Sequence, residues 1–194
     1  MADKIDEKII DLINHNQKLD RDIMNDGAYI HNQIINFKDL ELFNGKIVTK
    51  IPSYFEYISE EIAKLKYPAE GRPEHILSNK DSSVTFGYSI INEPIKKTEV
   101  EDAMKQIKGV IKATNPASDF YSDGLLNSEE ENTLNIAWFD YNTFGIDEQI
   151  YNITFIAEFE SKIFFGTFNC PMREINEWKK PSLECIKNTK IIKN

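Results

Sequence analysis

The stretch 149-QIYNITFIAEFESKIFFGTFNC-170 decides the reading of this chain. Tyr151, Ile153, Phe155 and Phe159 alternate with Asn152, Thr154 and Glu158, the period of two that a β-strand imposes. One face of that strand is strongly apolar and the other is mixed. Only Glu160 and Ser161 separate it from 162-KIFFGTFNC-170, and so short a link makes the two runs antiparallel neighbours. Upstream, 134-LNIAWFDY-141 joins through 145-GIDE-148 and extends the pair to three strands.

Working outward, helical and strand signals alternate along the chain. The runs 33-QIINFKDLELF-43 and 46-KIVTKI-51 flank Asn44-Gly45, a strong hairpin signal. In 53-SYFEYISEEIAKLKYP-68, Ser53 with Glu56 has capping-box spacing and Ser59 offers a second start. Tyr54, Phe55, Ile58, Ile62 and Leu65 make an apolar face there, and Pro68 stops the helix. The next strands are 75-HILSN-79 and 83-SVTFGYSII-91, around a turn at 79–82. Residues 98–114 form the clearest helix, opened by Thr98 and Glu101, with Val100, Ala103, Met104, Ile107, Val110 and Ile111 on one stripe. Residues 115–132 read as a long loop. After the three-strand run come a helical turn at 173–178 and a terminal helix opened by Pro181, carrying Leu183, Ile186 and Ile191. At the other end Ile5, Ile9, Ile10 and Ile13 follow helical spacing, so residues 1–32 read as a helical appendage to an α+β domain over 33–194.

The connector 65-LKYPAEGRPEHILSNKD-81 invites a ligand-loop reading that its chemistry does not support. A phosphate cradle needs several backbone N–H groups converging at a helix start, and a single glycine, Gly71, cannot build one. Pro73 pushes Arg72 toward an extended conformation. Tyr67, Pro68, Arg72 and Pro73 are therefore structural, with Arg72 holding local carbonyls or a carboxylate.

Composition bounds the rest. A chain of 194 residues with 41% hydrophobic and 11% aromatic content has enough apolar surface to fold as one domain. No targeting segment and no apolar run of about 18 residues appears, which predicts a cytoplasmic protein without membrane insertion. Two cysteines give neither a disulfide framework nor a four-thiolate zinc site. The net charge of −9 is uneven: no Lys or Arg stands between Lys112 and Lys162, while ten carboxylates do. That field disfavours nucleic acid and suits a basic protein partner.

Candidate chemistry is sparse. His15, His31, His75, Cys170 and Cys185 lie in no recognisable nucleophile or metal motif. Glu129, Glu130 and Glu131 with Asp119 and Asp123 match no calcium loop. Asp140, Glu158 and Glu160 sit on adjacent strands, where an acid–base pair competes with the wet face of a sheet. Trp138, Phe139, Tyr141 and Phe144 beside Asp140 and Asp147 form an aromatic and acidic cluster of the kind that anchors a basic partner. The predicted contact residues are Trp138, Asp140, Tyr141, Phe144, Asp147 and Glu129–Glu131. No metal or cofactor is predicted.

The element order resembles the PsbP-like superfamily, which includes an extrinsic photosystem subunit, a eukaryotic Ran-release factor and bacterial DcrB-like proteins. The specific part is Ile51-Pro52, Phe55, Lys66-Tyr67-Pro68 and Arg72-Pro73, supported by the closing aromatic strands and Trp178. The resemblance covers roughly 33–194. It implies a single antiparallel sheet of about six strands with helices on both faces, used mainly for binding proteins. The expectation is a non-enzymatic, protein-binding domain, monomeric or homodimeric. Two alternatives stand beside it: an immunity or secretion-effector chaperone protein that takes a basic toxin or effector, and a Cys/His hydrolase.

Overall fold

A computed structural model of the protein describes residues 22–68, 71–127, 132–145 and 147–192. Its first element, α1 (Ile23–Asp26), is capped by the Asp22 carboxylate, which accepts from the N–H groups of Met24 and Asn25. Gly27, at φ +79°, ends it. The hairpin β1 (Ala28–Ile30) and β2 (Gln33–Ile35) follows, then β3 (Phe37–Leu42) and β4 (Ile47–Pro52). The single run read at 33–43 is thus two strands in two sheets. Next come β5 (Glu56–Tyr57), α2 (Glu60–Lys66), β6 (His75–Ser78), β7 (Thr85–Pro94) and α3 (Val100–Thr114). The chain closes with β8 (Phe120–Leu126), β9 (Ile136–Phe144), β10 (Gln149–Phe159), β11 (Lys162–Pro171), α4 (Ile175–Lys187) and β12 (Lys190–Ile191).

The fold is α+β, with more than the one six-stranded sheet expected. The main sheet has seven antiparallel strands in the order β5-β6-β7-β11-β10-β9-β8, and β12-β4-β3 form a second, smaller sheet. The hairpin β3–β4 does not extend the main sheet. It turns Leu42, Ile47 and Ile51 into the core instead, and these are fully buried. Two main-sheet strands were not read from the sequence: β5, which lies inside the stretch read as a helix at 53–68, and β8, which lies inside the stretch read as a loop. The side chains of β8 are mostly exposed and Ser122-Asp123-Gly124 has turn chemistry, so neither alternation nor propensity marks it.

Two apolar layers cover the main sheet. On one face Phe86, Tyr88, Ile153, Phe155, Phe164 and Phe168 meet Trp178, Cys185 and Ile186 of α4. Trp178 lies 5.8 Å from Phe55 and 6.1 Å from Phe168. Gly166 is the hole in this layer: Phe155, its cross-strand partner, lies over it so closely that a Cβ would stand 2.0 Å from the ring. On the other face Val100 and Met104 of α3 pack on Ala137, Phe139 and Ile156. α4 is one helix rather than a turn and a helix divided at Pro181. Pro181 donates no backbone bond within the helix, and its ring is buried on the side of α4 that meets α1 and β1. Residues 1–21 lie outside the described residues, whereas Ile23, Ala28 and Ile30 belong to the main core. Among the described residues no helix is long and apolar enough to cross a membrane.

Candidate functional site

The alternation of β9 divides the aromatic and acidic cluster that the sequence presents as one patch. Trp138 and Asp140 share the face covered by α4, while Phe139 and Tyr141 face α3. Asp140 is 0% exposed. Its carboxylate accepts from the Tyr151 hydroxyl at 2.7 Å, the Ser122 N–H at 2.6 Å and the Lys179 ammonium at 2.6 Å. Burial, together with Asp140, pushes the Tyr151 hydroxyl pKa up. Asp140 is therefore a tie between β8, β10 and α4 rather than a surface anchor, and Trp138 is buried beside it. Tyr141 is partly buried, stacked on Phe120 at 5.4 Å. Phe144, 58% exposed, and Asp147 are at the surface. Glu129, Glu130 and Glu131 lie outside the described residues.

The acidic run is also less acidic in space than in sequence. Bases from flanking segments meet it: Asp123 pairs with Lys108, Asp140 with Lys179, Glu148 with Arg173, and Glu160 with Lys46 at 2.8 Å. Glu158 accepts from the Ser161 N–H at 2.7 Å and Asp119 from the Asn142 amide at 3.2 Å.

The strand register separates the candidate nucleophile pair. His75 aligns with Tyr88, Tyr88 with Gly166, and Cys170 stands four residues further along β11. At about 3.3 Å per residue and about 4.8 Å per strand, His75 and Cys170 are roughly 16 Å apart. Four strand spacings, about 19 Å, separate His75 from Asp140. Burial pushes both thiols well up, the opposite of an activated cysteine. His75 instead hydrogen-bonds the Tyr57 hydroxyl at 3.0 Å and meets the edge of Phe43 at 4.7 Å. His31 stands 3.6 Å from Glu174, and His15 lies outside the described residues. Among the described residues no three His, Cys, Asp or Glu side chains converge as a metal site would require.

The connector is stitched to the sheet. A Cβ on Gly87 would stand 2.8 Å from Pro73, so the proline sits directly on β7. The Tyr67 N–H closes α2 on the Ala63 carbonyl, and its hydroxyl accepts from Asn169 at 3.4 Å. Lys66 reaches Thr85 at 2.6 Å and the Ser82 carbonyl. Lys64, with Arg72 adding its charge, holds the Glu60 carboxyl below its ordinary range.

One surface stands out that the sequence reading assigned to the core. Helix α2 starts at Ser59, whose hydroxyl accepts from the Ile62 N–H, and not at Ser53. The six-residue delay leaves Tyr54 in a turn and Tyr57 in β5, and turns Ile62 and Leu65 of the expected apolar face outward. Phe55 and Ala63 alone of this region are buried apolar residues, while Leu65 is 82% exposed, Tyr57 54%, Tyr54 44% and Ile62 38%. Beside them opens a cleft of about 510 Å³ bordered by Tyr54, Glu56, Tyr57, Ser59, Ile62 and Lys80. Burial, then the nearby charges of Glu174 and Asp81, push the Tyr54 hydroxyl up to about 12, so both tyrosines stay neutral donors.

This arrangement, a seven-stranded antiparallel sheet between helices, is the PsbP-like fold. The solution structure of cyanobacterial PsbP (CyanoP) from Synechocystis sp. PCC 6803 is similar over 86% of this chain and 98% of its own, with a TM-score of 0.57 at 8% identity. The Ran-binding protein Mog1p of Saccharomyces cerevisiae matches 81% of this chain and 96% of its own, at 0.51 and 10%. LpqN, involved in cell envelope biogenesis of Mycobacterium tuberculosis, covers 85% and 95%, at 0.50 and 10%. No family model and no curated protein sequence matches the chain.

Proposed function

We propose that this protein is a non-enzymatic, protein-binding domain whose docking surface is the edge formed by β5 and α2. The observation that carries the reading is the exposure of Tyr54, Tyr57, Ile62 and Leu65 together, beside a cleft of about 510 Å³. Large apolar side chains gathered in the open mark interaction sites, and tyrosine in particular combines a large rigid apolar area with a polar tip. A protein-binding use of the fold has a parallel in Mog1p, which is described as Ran-binding. Phe144 and Asp147, at the far end of β9, form a second and smaller contact. Pairing of the acidic run by Lys108, Lys179, Arg173 and Lys46 makes apolar contact, rather than capture of a basic toxin or effector, the dominant attraction.

The test is recovery of a partner from native lysate by the wild-type chain, by Tyr57→Ser/Leu65→Ser and by Phe144→Ser/Asp147→Asn. Leu65, Phe144 and Asp147 are exposed positions where folding should change by less than about 0.5 kcal/mol, and Tyr57→Ser, which also removes the hydrogen bond to His75, should cost about 1 kcal/mol. The expected result is a defined partner retained at about 0.5 M salt, lost with the α2 pair of substitutions and kept or only weakened with the β9 pair. Recovery abolished by salt and indifferent to Tyr57 and Leu65 would transfer the function to the acidic run.

A further inference from the structure

A sheet can take on further chain at its terminal strands, whose outward N–H and C=O groups have no ladder partner. The two larger sheets end in four such strands. β5 and β12 are two residues long, and β3 exposes Lys38, Asp39 and Glu41, charges of the kind that keep an edge solitary. β8 differs from all three. Its seven residues include no lysine, arginine or proline, and its one carboxylate, Asp123, already pairs with Lys108 of α3. A bulge between Phe120 and Asp123 leaves Asp123–Leu126 in regular register with β9. Gly124 is exposed in that stretch, and since a glycine has only main chain to expose, the edge itself is open. On the α3 side Leu125 is 44% exposed beside a groove of about 210 Å³ bordered by Met104, Ala137 and Phe139.

What suits this edge follows from setting it against itself. Two copies related by a two-fold axis normal to the sheet run antiparallel, and because directly opposite residues share a face, the pairing must centre on a residue. Centring on Asp123 opposes two carboxylates. Centring on Gly124 sets Asp123 against Leu125, and centring on Leu126 sets Leu125 against Asn127. Centring on Leu125 brings the two exposed leucines together, places Gly124 against Leu126, and gives Asp123 the amide of Asn127 to accept from. No like charges meet within residues 123–127 in that register, and the apolar groove beside each Leu125 is extended by the leucine of the second copy. Beyond that window both copies are acidic, each with a net charge of −9, so mutual repulsion opposes the pairing and added salt relieves it.

We propose that β8 is a self-association edge, through which two copies of this chain join antiparallel about Leu125 into one continuous sheet. The inference does not draw on the β5–α2 edge, which lies at the opposite end of the main sheet, so either can fail without the other. The test is sedimentation equilibrium of the full chain from about 5 μM to about 500 μM. The expected result is a monomer–dimer equilibrium with Kd on the order of 50 μM at about 0.15 M salt, tightening at least about twofold at about 0.5 M. Leu125→Lys places two like charges on the axis at an exposed position and should weaken the dimer at least about tenfold. Val110→Lys, on the exposed flank of α3, should leave it unchanged. A short bis-maleimide should link Leu125→Cys into a covalent dimer and fail to link Val110→Cys, since Cys170 and Cys185 are buried. A chain that stays monomeric at about 500 μM, a dimer indifferent to Leu125→Lys, or equal cross-linking of both cysteine variants would overturn the proposal.

Discussion

Asp140 and Lys179 show how far a residue's role departs from its type. A carboxylate with no exposure is tolerable because three donors surround it, and removing one donor costs more than never having had the pair. Lys179→Ala is expected to lower stability by about 3 kcal/mol or more in urea titration, because it strands a buried charge. Lys179→Ala/Asp140→Leu should recover part of that loss, and equal destabilisation in both would refute the pairing argument. His75 supplies a second check. Burial, opposed by Glu74, sets its folded pKa below the ordinary 6.5, so the unfolded chain takes up a proton more readily than the folded one. That contribution is fully present above pH 6.5 and is lost as pH falls from there through the folded value. Stability should therefore decline as pH falls below 6.5, and the decline should flatten in His75→Phe.

At the scale of elements, what could be read from the sequence follows from how local each signal is. The β10–β11 hairpin was legible because a two-residue link leaves no alternative register. The structure puts Glu160 and Ser161 both at positive φ, 50° and 61°, as such a turn requires. Ser161→Gly is accordingly expected to stabilise the protein by about 1 kcal/mol, seen as a raised denaturation midpoint with an unchanged slope. The Ile-Pro strand end and most of the α3 stripe were equally local, although Val110 of that stripe is exposed and α3 has no side-chain cap from Thr98 or Glu101; the Glu99 carboxylate instead accepts from the Lys96 N–H at the start of a 3-10 turn, Lys97–Glu99, that leads into the helix. β8 was not legible, since an edge strand tied in through Asp140 and Lys108 owes its pairing to residues 15 to 18 positions away. Pro181 within α4 was hidden for the same reason: its tolerance depends on burial beside α1 and β1. For α2, two serines offered starts, and the start at Ser59 rather than Ser53 leaves Phe55 buried but Tyr54, Ile62 and Leu65 exposed.

For the whole molecule, element order and the pattern from Ile51-Pro52 to Arg72-Pro73 sufficed to point to a PsbP-like fold, which structures of only about a tenth identity share. The interaction surface was beyond the same reasoning. The run of ten carboxylates is continuous along the chain, but folding brings Lys46, Lys108, Arg173 and Lys179 to it, and no one-dimensional charge count contains those meetings. The exposed Tyr54, Tyr57, Ile62 and Leu65 became visible only once α2 had been placed. The most direct measurement is backbone hydrogen exchange of the full chain with and without its captured partner. Slowed exchange concentrated in residues 54–66 is the expected result. Protection falling on residues 119–160 instead, with 54–66 unchanged, would contradict the assignment of the docking edge.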